Sequence, residues 1–79
     1  MSNCVIRRFI QGELQTNTYV LSNGNKCFIV DPTGNPAPIE EYVKANGLSI
    51  DGLIVTHGHF DHTELVKYFK EQGVKAYIG

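Results

Sequence analysis

The sequence predicts an α/β fold with the element order β-β-β-α-β-α-β, and a fold that is incomplete by itself. Three observations carry this. Short β-branched and aromatic runs come first, and then two stretches with helical spacing alternate with strand-like ones. Strand–helix–strand units take right-handed crossovers, which put both helices on one face of the sheet. Yet Val20-Leu21, Phe28-Ile29-Val30 and Leu53-Ile54-Val55 are apolar at successive positions, and successive strand residues point to opposite faces. Both faces therefore want burial, while the chain has helices for one. The pattern is that of half of a larger layered protein.

The elements follow in order. Cys4–Ile10 (CVIRRFI) is a strand, and Gln11 to Gln15 a polar connection. Thr18–Leu21 (TYVL) and Cys27–Val30 (CFIV) flank SNGN, whose Asn23-Gly24 is a strong turn dipeptide, so the two runs form an antiparallel hairpin. Asp31-Pro-Thr-Gly34 closes the third strand. Asn35 then caps a helix, Pro36 suits its first positions, and Glu40-Glu41 are placed near the positive end of its dipole. Ile39, Tyr42 and Val43 make one apolar helix face, and Asn46-Gly47 stops it. Leu53–Val55, preceded by Asp51-Gly52, is a buried parallel strand. Thr63–Gln72 is a second helix, with Leu65, Val66 and Phe69 on one face and Gly73 as its stop. Val74–Ile78 is the last strand.

Composition narrows the function classes. With 79 residues there is one domain at most, residues 1–79 reading as a partial one, and the margin of stability is thin. Seven basic and eight acidic residues leave a net charge of −1, and the basic ones are scattered, so no stripe suits nucleic acid. No run is long and apolar enough to cross a membrane, no signal-peptide pattern opens the chain, and the expected location is the cytoplasm. Cys4 and Cys27 each sit in an apolar run and are expected to be buried, reduced thiols acting as small hydrophobes.

All three histidines fall in Thr56-His-Gly-His-Phe-Asp-His62, directly after the parallel strand. Ligand sites in α/β sheets favour the C-terminal ends of strands. In a locally extended segment His57 and His59 project to the same side, and Gly58 lets the backbone turn tightly. Asp61 and His62 follow one turn later. Imidazole nitrogen and carboxylate oxygen are good ligands for zinc, manganese or iron. Four such ligands cannot all reach one ion from so short a loop without strain. Two pairs, each feeding one of two adjacent ions, is the easier geometry.

With its H-x-H-x-D-H signature after a strand, the sequence resembles the N-terminal part of the metallo-β-lactamase superfamily, and within it the small glyoxalase II-like hydrolases. Four features carry the resemblance: QTNTYVL (Gln15–Leu21), FIVDPTG (Phe28–Gly34), LIVTHGHFDH (Leu53–His62) and the spacing between them. It implies an αββα sandwich, helices outside two packed sheets, of which this chain is the N-terminal half. It implies that His57 and His59 are ligands of a first metal, and Asp61 and His62 of a second. Asp61 in this family can also orient the nucleophile or protonate the leaving group. Asp31 resembles the acidic residue that ends the third strand and supports the metal loop from behind, and Thr56 is expected to hydrogen-bond within the loop. The implied cofactor is zinc, two ions in the complete site, with iron or manganese as alternatives.

The chain departs from the family in two places. Thr63-Glu64-Leu65 stand where a small-residue pair often follows the motif, and no histidine comes after His62, although the family places further ligands downstream. The expected activity is metal-dependent hydrolysis of a small-molecule thioester or ester in the complete protein, with this chain an N-terminal fragment inactive alone. It would self-associate or pair with a complementing C-terminal half. His59 speaks against the diiron flavoprotein branch, His62 against lactamase subclasses lacking the last histidine, and the absence of a basic groove against nucleases. A sulfur dioxygenase using one iron is a further alternative. The rival from another class is a non-catalytic metal-binding or assembly module.

Overall fold

The structure is a computed structural model and describes residues 4–11, 16–56 and 64–78. Among the described residues, five strands and two helices follow the expected order: β1 Cys4–Gln11, β2 Thr16–Asn23, β3 Lys26–Val30, α1 Pro36–Ala45, β4 Ser49–Val55, α2 Glu64–Glu71 and β5 Ala76–Ile78. The strands form one sheet in sequence order. β1, β2 and β3 are antiparallel neighbours, and β3, β4 and β5 are parallel.

The hairpin between β2 and β3 closes with Asn23 opposite Lys26, so its loop is Gly24-Asn25 and not Asn23-Gly24. Gly24 takes the first loop position with φ 65°, which a type II′ turn requires. β4 also differs from expectation. It begins at Ser49 and runs through Asp51-Gly52, because Ser49 and Ile50 pair with Lys26 and Cys27 before the register shifts. Asp51 is the extra residue of that shift, a bulge that keeps both Ile50 and Leu53 on the helix side.

The Asn35 side chain accepts a hydrogen bond from the Ala37 N–H at 2.9 Å, and Pro36 opens α1, as expected. No acidic residue lies in the first turn, however. Glu40 sits past it and accepts a hydrogen bond from the Tyr68 hydroxyl at 2.8 Å, joining α1 to α2. Both helices end the same way. Gly47 and Leu48 donate back to Lys44 and Val43, and Gly73 and Val74 donate back to Lys70 and Phe69. This is the Schellman pattern, which satisfies two orphan carbonyls at each end.

The core lies between the helices and one sheet face. Val20, Cys27, Ile29, Leu53 and Val55 from the sheet meet Ile39 of α1 and Leu65, Val66 and Phe69 of α2. Each is at most 2% exposed. Phe69 is the largest of them, and truncating it to Ala would cost about 3–5 kcal/mol. Phe9 joins this face from β1 by packing edge-on against Tyr42 at 5.8 Å, with the Arg7 guanidinium over both rings. The other face carries Ile6, Tyr19, Leu21, Phe28, Val30, Ile54 and Tyr77, as the registers dictate. Ile6 is 64% and Tyr77 52% exposed. The two cysteines part company. Cys27 is buried in the core, but Cys4 is exposed at the outer end of β1, where no layer covers it.

Candidate metal centre

β3 and β4 run parallel with Val30 opposite Ile54, so the chain leaves both strands at the same edge of the sheet. Asp31 is the first residue past β3, and Thr56 the first past β4. Asp31 holds Thr56 with both carboxylate oxygens. The Thr56 N–H donates to Oδ1 at 2.7 Å, and the Thr56 hydroxyl donates to Oδ2 at 2.6 Å. Hydrogen bonds to an ionised carboxylate are shorter and stronger than neutral ones. Both the backbone and the side chain of the residue before His57 are thereby held.

Asp31 achieves this from a left-handed backbone, φ 52°, the conformation that L-residues other than glycine adopt at a cost of about 1–2 kcal/mol. Asp and Asn tolerate it best. The surroundings tie down each of its polar groups. Its N–H donates to the Ile54 carbonyl at 2.7 Å, and its carbonyl accepts from the Thr18 hydroxyl at 3.0 Å. Thr18 is wholly buried on β2. Its oxygen also accepts from the Thr33 N–H at 3.3 Å and lies 3.4 Å from the Thr33 hydroxyl.

Of the candidate site residues, Asp31 and Thr56 are brought together across 25 positions of sequence. His57, His59, Asp61 and His62 lie outside the described residues. Thr18 was not singled out by sequence reasoning. A signal was present, since Thr18 and Ser22 are polar at the positions that alternate with the inward-facing Val20. A cleft of about 190 Å³ opens beside the turn that follows Asp31, lined by Gly34, Pro36, Glu64, Leu65 and Tyr68. Ligand pockets usually run to roughly 300–1,000 Å³, and this cleft is smaller than that range. A larger groove of about 530 Å³ between α1, Ile50 and Gln72 borders neither Asp31 nor Thr56.

Asp31, at the end of β3, thus holds Thr56, the residue directly ahead of the H-x-H-x-D-H sequence at positions 57–62. The chain belongs to the metallo-beta-lactamase superfamily, whose sequence pattern matches residues 11–79. It is 36% identical over 66 residues to the probable metallo-hydrolase YqgX of Bacillus subtilis (strain 168), which spans 84% of this chain and 31% of that protein. It is 42% identical over 52 residues to a hydroxyacylglutathione hydrolase of Aliivibrio salmonicida (strain LFI1238), 61% of this chain and 20% of that one. Among solved structures, a B3 metallo-beta-lactamase, BLEG-1, superposes with a TM-score of 0.80 at 29% identity, covering 92% of this chain and 36% of the other. The 79 residues thus span about a third or less of the length of these relatives. The superfamily implies metal ions. No helix among the described residues is long and apolar enough to cross a membrane.

Proposed function

We propose that the chain contributes the first half of the metal centre of a hydrolase that cleaves thioesters or esters. His57, His59, Asp61 and His62 are the side chains it offers to metal, with Asp31 and Thr56 as their support. The observation that carries this is the two-point hold of Asp31 on Thr56, directly ahead of the histidines. Metal-ligating residues need such outer partners to fix their orientation. The donor set, three imidazoles and a carboxylate, fits zinc and also manganese or iron. When bound, the metal supplies an activated water near neutral pH and polarises the substrate carbonyl. Asp61 orients the nucleophile or protonates the leaving group. The relatives named as hydroxyacylglutathione hydrolases support a thioester as the substrate class.

Four ligands fall short of two ions that each want about four donors. The remaining donors come from polypeptide outside these 79 residues. The chain alone therefore binds divalent metal weakly and turns over no thioester. Titrating Zn²⁺ against the chain and against a His57→Ala/His59→Ala double variant tests the first point. Equal affinity would overturn it. Hydrolysis of S-lactoylglutathione by the chain alone at about 1 s⁻¹, an ordinary enzyme rate, would overturn the second.

The second reading, a non-catalytic metal-binding or assembly module, is favoured by the open apolar face with Ile6 and Tyr77. A chimera separates the two. Residues 1–79 are joined to the remainder of a full-length relative, such as the metallo-hydrolase. Metal-dependent thioester turnover supports the hydrolase, and metal binding without turnover supports the module.

A further inference from the structure

We propose that Thr18 is a positioning residue for the metal-binding segment, acting through Asp31 on Thr56. The inference rests on the metal-binding reading above and adds a residue to it. Thr18 is wholly buried on the helix-side face of β2, two positions before the equally buried Val20. Valine has nearly the same shape, so packing alone does not call for a hydroxyl there. The hydroxyl is instead fully used. Its single proton goes to the Asp31 carbonyl at 3.0 Å. Its lone pairs face the Thr33 N–H at 3.3 Å and the Thr33 hydroxyl at 3.4 Å, which by elimination is the donor.

Thr18 thus grips the turn on both sides of Pro32, at Asp31 and at Thr33. Asp31 needs that grip. At φ 52° its backbone sits in a sparsely populated region, which persists only when the surroundings over-determine it. If the turn relaxes, the carboxylate swings away from the two Thr56 donors. A change on β2 is thereby transmitted to the residue that precedes His57, through three hydrogen-bonded contacts and without Thr18 itself touching Thr56.

The test compares wild type, Thr18→Val, Thr18→Ser and Ser22→Ala. Ser22 is the control, a buried hydroxyl on the same strand face that donates to the Val5 carbonyl, remote from Asp31. In the metal-free chain, NMR hydrogen exchange at the Thr56 amide should rise about tenfold or more in Thr18→Val. It should stay near wild type in Thr18→Ser, which restores the hydroxyl, and in Ser22→Ala. On titration with Co²⁺, Thr18→Val should bind about 3–10-fold more weakly, at or below the loss seen on removing outer partners of metal ligands. Its visible Co²⁺ absorption should change shape, and Thr18→Ser should recover it. A folded Thr18→Val with unchanged Thr56 protection would overturn the proposal. If Thr18→Val does not fold, the wild type decides. The Thr33 and Thr56 amides should open together, with one urea dependence, and separate openings would overturn the coupling. A wild-type chain that binds no Co²⁺ would overturn the metal-binding reading, while the Thr56 exchange would still decide whether Thr18 acts through Asp31.

Discussion

The rings of Phe28 and Tyr77 meet at a tilt on the open face of the sheet, their centroids 6.4 Å apart, with Gly52 beneath them. A Cβ on Gly52 would lie 2.8 Å from Tyr77 Cε2, 3.0 Å from Phe28 Cε2 and 3.3 Å from the Lys75 carbonyl oxygen. Glycine there lets two aromatic rings close over the backbone of β4. Gly52→Ala is expected to destabilise the fold by about 1–3 kcal/mol through overpacking. Urea unfolding measures it. Tyr77 is 52% exposed and can move aside, so Tyr77→Ala in the same chain should recover most of the loss. An equal loss with and without the Tyr77 ring would assign the strain to the Phe28 ring or the Lys75 backbone instead.

Asp31→Asn should weaken metal binding more than it weakens folding. An amide has one acceptor oxygen where the carboxylate offers two, so one of the two Thr56 donors meets an N–H₂ group. The turn itself survives, because Asn tolerates the left-handed backbone as Asp does. Loss of an outer partner typically costs about 10–100-fold in metal affinity. Isothermal titration with Zn²⁺ at fixed pH reads the ratio, and an affinity within twofold of wild type would exclude a supporting role for Asp31.

The two cysteines should differ sharply toward alkylation. Cys4 is exposed and reacts in the native state, whereas Cys27 is buried and reacts only on unfolding. Burial, and secondarily the charge of Asp51, push the Cys27 thiol from 9.0 up to about 11. The folded state thus keeps a proton that the unfolded state releases. Stability from this source is fully present below pH 9.0 and is lost as pH rises toward 11. Mass spectrometry after iodoacetamide at pH 8 should show one modified site. Urea midpoints taken at rising alkaline pH should fall more in wild type than in Cys27→Ala.

The open face should drive association of the isolated chain. Burying a large apolar side chain is worth roughly 1.5–3 kcal/mol, so Ile6, Leu21, Phe28, Ile54 and Tyr77 together exceed what so small a domain can forgo. Sedimentation at several concentrations should show reversible self-association. Ile6→Lys with Tyr77→Lys should shift it toward monomer, because both residues are largely exposed and lie on this face. A strictly monomeric wild type with well-protected strands would show that the face is covered from within the chain.

The order of elements was legible in the chain because local rules govern it. Turn glycines, the Asn35 cap and the spacing of Leu65, Val66 and Phe69 each act within a few residues. The histidine cluster was legible for the same reason, its four candidate ligands falling within six positions, 57 to 62. The sequence also showed that two sheet faces wanted burial. It did not show which residue of each adjacent apolar pair faced the helices. Strand pairing decided that, placing Val20 opposite Ile29 and Leu21 opposite Phe28, and the bulge at Asp51 then set the parity of β4. The same holds for the support of the candidate site. Thr18, Asp31 and Thr56 lie on three different strands or their ends, and no local rule pairs the Thr18 hydroxyl with the Asp31 carbonyl or the Thr56 hydroxyl with the Asp31 carboxylate. Hydrogen bonds between residues far apart in sequence exist only once the register is chosen, and register is a property of the folded sheet.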